Sequence, residues 1–91
     1  MDVIDIEEKW FNHIFNGRKT IEGRLYKNKY KSFCKGIKTL RCNDKSFTIL
    51  IEDIYIYSSF EEYLSMEGLK ATLPDVLTIE DGIKIYRDFI Y

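Results

Sequence analysis

Ninety-one residues, 45% of them hydrophobic with seven Tyr, six Phe and one Trp, suffice for one small folded domain with one modest core and no separate catalytic domain. One Pro and this much aromatic material exclude a disordered chain, and no apolar run approaches the length of a membrane span. The net charge of −1 conceals an uneven layout, because residues 17–45 carry ten Lys or Arg against Glu22 and Asp44, a local excess of +8 that leaves −9 elsewhere.

A basic middle interleaved with Tyr26, Tyr30 and Phe33 suits a face that attracts phosphate backbones; the alternative is that acids of the flanking segments neutralise it on folding. The N-terminus has Asp2, Asp5, Glu7 and Glu8 where a secretory signal would have cations and then an apolar stretch. The expectation is a soluble, unprocessed, intracellular chain, cytoplasmic, or in the host cytoplasm or nucleus if viral. Richness in Ile, Lys, Tyr, Phe and Asn suits an AT-rich bacterial or viral genome. Cys34 and Cys42 match no zinc spacing and His13 is far from both, so reduced thiols are expected, with no metal and no cofactor.

Residues 2–6 alternate briefly and predict a short strand or extended entry. Ile6, Trp10 and Ile14, with Phe11 and Phe15, then fall at helical spacing before Asn16-Gly17, predicting a helix over 7–16 with Trp10 buried and His13 on the exposed side. From Lys19 to Tyr26 the pattern turns to alternation, a half-buried strand with Ile21 and Leu25 on one side and Thr20, Glu22, Arg24 and Tyr26 on the other. Residues 27–35 have no period and read as a loop or short helical turn. Residues 37–42 and 46–57 are β-rich and flank Asn43-Asp44-Lys45, predicting a hairpin with a long second strand. Ser59 with Glu62, and Thr78 with Asp81, mark helix starts, placing helices at 60–66 and 79–89, the second with Ile79, Ile83, Tyr86 and Ile90 on one face. Leu73-Pro74 breaks the chain between them. The order predicts an α+β fold with a small, curved, mostly antiparallel sheet or barrel.

The densest polar group is the run from Gly17 to Arg24, containing Lys19, Thr20, Glu22 and Arg24. Glu22 and Arg24 share a strand face roughly 7 Å apart, close enough to pair or to hold one ligand jointly. Strict alternation turns Lys19 away, so its joining them requires a bulge or the preceding turn. An exposed strand edge whose charges merely pair with one another is the structural alternative.

Gly17-x-Lys19-x-x-Glu22-x-Arg24, after a helix containing Trp10-Phe11 and Ile14, resembles the G-x-K-x-x-E-x-R signature of ASCH domains. The second half is similar to the family's strand, "SFEE" helix, "EGL…LP" turn and terminal helix. The resemblance covers nearly the whole chain and implies a PUA-like β-barrel flanked by helices, with the motif lining a cleft. It also implies an association with RNA, and in some small members hydrolysis of modified nucleosides or of RNA. One branch deacetylates N4-acetylcytidine with a lysine, a threonine and a glutamate. The lysine falls on Lys19 and the glutamate on Glu67 of Met66-Glu67-Gly68, whereas the threonine position holds Glu22, a carboxylate that cannot stand in for a hydroxyl nucleophile. A second departure is Gly36-Ile37, where the family usually has Gly-Asp at a barrel turn.

Lys19, Glu22 and Glu67 are therefore the candidate catalytic residues, and Lys19, Thr20, Glu22, Arg24, Tyr26, Lys31, Tyr57 and Tyr86 the candidate ligand contacts, the tyrosines as stacking or edge-donating groups. Three functions compete: binding of RNA or a modified nucleoside, hydrolysis of an N4-acylated cytidine or of RNA, and an interaction scaffold that has lost ligand binding. No membrane partner is expected, and oligomeric state is not read from the sequence. If RNA binding is the role, replacing Lys19 or Arg24, as exposed functional positions, by Ala is expected to weaken binding and leave the melting temperature nearly unchanged.

Overall fold

A computed structural model describes residues 2–90, with the side chains at 28, 29, 89 and 90 outside the description. The chain runs β1 (Val3–Asp5), α1 (Glu8–Phe15), a helical turn α2 (Asn28–Lys31), β2 (Gly36–Cys42), β3 (Lys45–Ile51), α3 (Phe60–Glu67), a helical turn α4 (Leu69–Thr72) and α5 (Ile79–Ile85), which continues as a π-turn over Tyr86–Ile90. The architecture is α+β. The three strands form one sheet in the order β1-β2-β3, parallel between β1 and β2 and antiparallel between β2 and β3, and it does not close into a barrel among the described residues.

Helix α1 is the wedge between two core layers. Its consecutive residues Trp10 and Phe11 point to opposite sides: Trp10 packs with Tyr63, Leu64, Leu73 and Tyr86 from the C-terminal helices, and Phe11 with Ile4, Leu40 and Cys42 from the sheet. The Ser59 hydroxyl accepts from Glu62 N at 3.0 Å and the Thr78 hydroxyl from Asp81 N at 3.1 Å, so both expected caps are made. Gly68 ends α3 at φ 85°. Ile79 and Ile83 pack partly buried against the core layer that contains Tyr86, while the Ile90 side chain lies outside the described residues.

Three expectations need correction. The hairpin forms around a two-residue connection, Asn43-Asp44, with Asn43 at φ 55°, but β3 stops at Ile51 rather than near Tyr57. Ile51 pairs with Gly36, the first residue of β2, so a longer β3 would have no strand to bond to. Residues 19–27 join no ladder: the amides of Thr20 and Ile21 both donate to the Ala71 carbonyl, at 3.0 and 3.1 Å, so α4 rather than the sheet holds this segment. The α4 turn itself, between Gly68 and Leu73, had no sequence signal beyond the glycine. His13 is buried at 7% exposure, with Asp75 at 3.1 Å from Nε2 and Arg18 Nε donating to Nδ1 at 2.8 Å. An imidazole on the rim of an apolar helix face is drawn in once both ring nitrogens have partners.

Candidate functional site

The motif segment folds onto α4, and Glu22 is the centre of what results. Lys19 Nζ lies 3.2 Å from one Glu22 oxygen, and Arg24 Nε donates to the other at 2.7 Å. The side chains of Glu22 and Arg24 each keep 20% of their surface open to solvent, and that of Lys19 none. Lys19 Nζ also donates to the carbonyls of Ile21 and Thr72, so its three N–H donors face three acceptors. Because the backbone of residues 20 and 21 is pinned to Ala71 rather than pleated in a sheet, Lys19 reaches Glu22 without the bulge that strand alternation would require.

Lys19 is therefore no exposed side chain, and the expectation that its loss leaves the fold untouched is corrected here. Burial pushes its pKa below the ordinary lysine value of 10.5; the Glu22 charge and hydrogen bond oppose that, and Arg24 adds to it. Burial acts the same way on Arg24, but the Glu22 carboxylate and Tyr30 outweigh it and hold the guanidinium above its usual range. Arg24 ties its segment to two elements, since Nη2 donates to the Asp5 carbonyl of β1 at 2.8 Å and Nη1 to the Tyr30 hydroxyl of α2 at 3.0 Å.

Behind Glu22 lies a tyrosine layer. The Tyr63 and Tyr86 hydroxyls are 2.9 Å apart, and burial raises both pKa values, with Glu22 charge adding to each and Glu67 charge to Tyr63. Gly23 lets the backbone pass over this layer, because a Cβ there would lie 2.6 Å from the Tyr63 ring. The Tyr57 hydroxyl donates to Glu67 at the end of α3, which pushes the Tyr57 pKa up to about 12. The Glu67 and Glu22 charges thus both act on the Tyr63 hydroxyl.

The structure brings Lys19, Glu22 and Arg24 together, with Glu67 and Tyr57 electrostatically in reach through Tyr63. Thr20 is exposed beside them. Tyr86 sits at 0% exposure with its ring stacked on Phe60, centroids 4.7 Å apart, so it packs the core and offers the cluster only its hydroxyl. Tyr26, 52% exposed, and Lys31, with Nζ 5.6 Å from the Tyr26 ring centre, form a separate pair joined to the motif through Tyr30 and Arg24. The Ala71 and Thr72 carbonyls and Tyr63 were missed from sequence. Carbonyls carry no residue signature, and Tyr63 reads as one tyrosine among seven.

The basic excess divides. Lys38 pairs with Asp2, Arg41 with Asp5 and Lys45 with Glu8, so acids of the first eight residues offset part of it, as the neutralising alternative held. Lys27, Lys31 and Lys35 remain exposed with no ion pair among the described residues.

The sequence profile of the ASCH domain matches residues 4–87. The chain belongs to the ASCH domain family. This ASCH domain is also similar to the crystal structure of hypothetical protein PH0355, at 36% identity and a TM-score of 0.85 over 96% of this chain and 80% of that one. No curated protein matches it. Among the described residues, no helix of this ASCH domain is long and apolar enough to cross a membrane, and no group of His, Cys, Asp or Glu could hold a metal ion.

Proposed function

We propose that this ASCH domain binds an RNA segment or a modified nucleoside at the Glu22 cluster. The observation that carries the reading is the Lys19–Glu22–Arg24 array, in which a buried Lys19 backs a Glu22 and an Arg24 that still reach solvent, tied through Arg24 and Tyr30 to an exposed basic and aromatic segment. Lys19 positions Glu22, whose carboxylate can accept a base amino group, while Arg24 faces phosphate or base acceptors at its solvent edge. Tyr26 and Lys27, Lys31 and Lys35 supply a stacking surface and phosphate contacts outside the cluster. Fluorescence anisotropy with a labelled single-stranded RNA tests this: affinity is expected to fall steeply with added salt, because neutralised phosphates release counterions. Lys31→Glu and Tyr26→Ala are expected to weaken binding at unchanged melting temperature. A wild type that binds neither RNA nor nucleosides at low salt would leave the interaction scaffold as the better reading.

A second reading, hydrolysis of an N4-acylated cytidine, is favoured by the lowered Lys19 pKa and by the Glu22 and Glu67 charges both acting on the Tyr63 hydroxyl. It would use a carboxylate as base and water as nucleophile. It ranks second because Lys19 already donates all three protons, leaving no lone pair for a base, and because Glu22 stands where the deacetylases have threonine. Robust release of acetate from N4-acetylcytidine would reverse the order.

A further inference from the structure

The outer edge of β3 is open. Among the described residues its backbone bonds to β2 and to nothing else. The sheet's inner face reflects this: Leu40 and Cys42 of β2 are 1% and 5% exposed, whereas Phe47, Ile49 and Ile51 of β3 are only half-buried. On the outer face the cross-strand partners Ile37 and Leu50 are 71% and 63% exposed. A seven-residue edge with no proline and with apolar side chains on both faces is a template for another strand.

The composition of this edge selects its partner. Strand β3 with the two residues that follow it, 45–53, reads Lys-Ser-Phe-Thr-Ile-Leu-Ile-Glu-Asp, so that Asp53 lies just past the end of the strand. Laid antiparallel against a second copy about Ile49, Lys45 falls opposite Asp53, Phe47 opposite Ile51, and Thr48 opposite Leu50. Opposed residues in a ladder must share a face, so the register can move only in steps that keep this parity. One such step in either direction puts Lys45 opposite Ile51 or Tyr55 and loses the charge match. In the matched register the half-buried Phe47, Ile49 and Ile51 of both copies join on the inner face. Lys45 now pairs with Glu8 at 3.6 Å, a half-exposed contact of the kind that contributes little to the fold.

We propose that a second copy of this chain docks along β3, antiparallel about Ile49, forming a two-fold dimer with a continuous six-stranded sheet closed by reciprocal Lys45–Asp53 pairs. Sedimentation velocity on the full chain tests it. The wild type is expected at twice the 10.9 kDa chain mass. Lys45→Glu and Asp53→Lys, each placing like charges opposite one another at both ends of the ladder, are expected to run as monomers with circular dichroism spectra like the wild type. An equimolar mixture of the two variants is expected to return to the dimer mass, because every substituted side chain then faces its opposite charge. A wild type that stays monomeric at every accessible concentration overturns the proposal. So does a dimer indifferent to both substitutions, or a mixture that fails to re-associate.

Discussion

Lys19 and Glu22 meet at 3.2 Å although, three residues apart on an extended segment, alternation would send them to opposite sides. The contact exists because α4 takes the amides of Thr20 and Ile21 and the Lys19 ammonium onto its own carbonyls. The motif is therefore part of the scaffold as well as of the candidate site.

Lys19→Met keeps the length of the side chain and removes its donors. The Ile21 and Thr72 carbonyls and one Glu22 oxygen then lose their partner, which should cost about 2–4 kcal/mol. For a domain of this size, the melting temperature should fall by about 10 °C or more, read by circular dichroism. An unchanged melt would show that the ammonium is not needed to hold α4.

Gly23→Ala should destabilise by about 1–3 kcal/mol, since its Cβ would lie 2.6 Å from a Tyr63 ring that Trp10, Leu64 and Tyr86 hem in. If Tyr63 is the obstacle, Tyr63→Leu in the same chain should make the added methyl cost less than it does alone. A double-mutant cycle by urea unfolding measures that coupling.

Trp10→Ala should cost about 3–5 kcal/mol, because the indole is 3% exposed at the centre of the layer joining α1, α3 and α5. A loss below roughly 1 kcal/mol in denaturant unfolding would contradict a core role.

Tyr57, Tyr63 and Tyr86 all have pKa values raised above the ordinary 10.0, so between about pH 10 and those values the folded chain holds protons that the unfolded chain has lost. Stability should therefore fall as pH rises from about 10. Lys19 acts oppositely below 10.5: its lowered pKa means that the unfolded chain holds the extra proton there, and stability gains with rising pH. Ultraviolet titration should show some of the seven tyrosines ionising only as the near-ultraviolet circular dichroism is lost. Ionisation of all seven near pH 10 with the fold intact would contradict this.

The sequence by itself determined whatever is local. Helix α1, the Ser59 and Thr78 caps, the stop at Gly68 and a turn at Asn43-Asp44 each rest on residues within a turn of one another, and each forms, although Trp10 and Ile14, read as one buried face, pack into different core layers. The family was legible for a related reason, since its signature is a run of side chains in fixed order. Tertiary structure alone decided where Glu22 faces, because that depends on the carbonyls of Ala71 and Thr72, some fifty residues away. It also decided that β3 ends where β2 begins, and that His13 turns inward to Asp75, sixty-two positions on. A strand's length depends on its partner and a polar side chain's burial on a distant acceptor, and neither leaves a periodic trace in the chain that carries it.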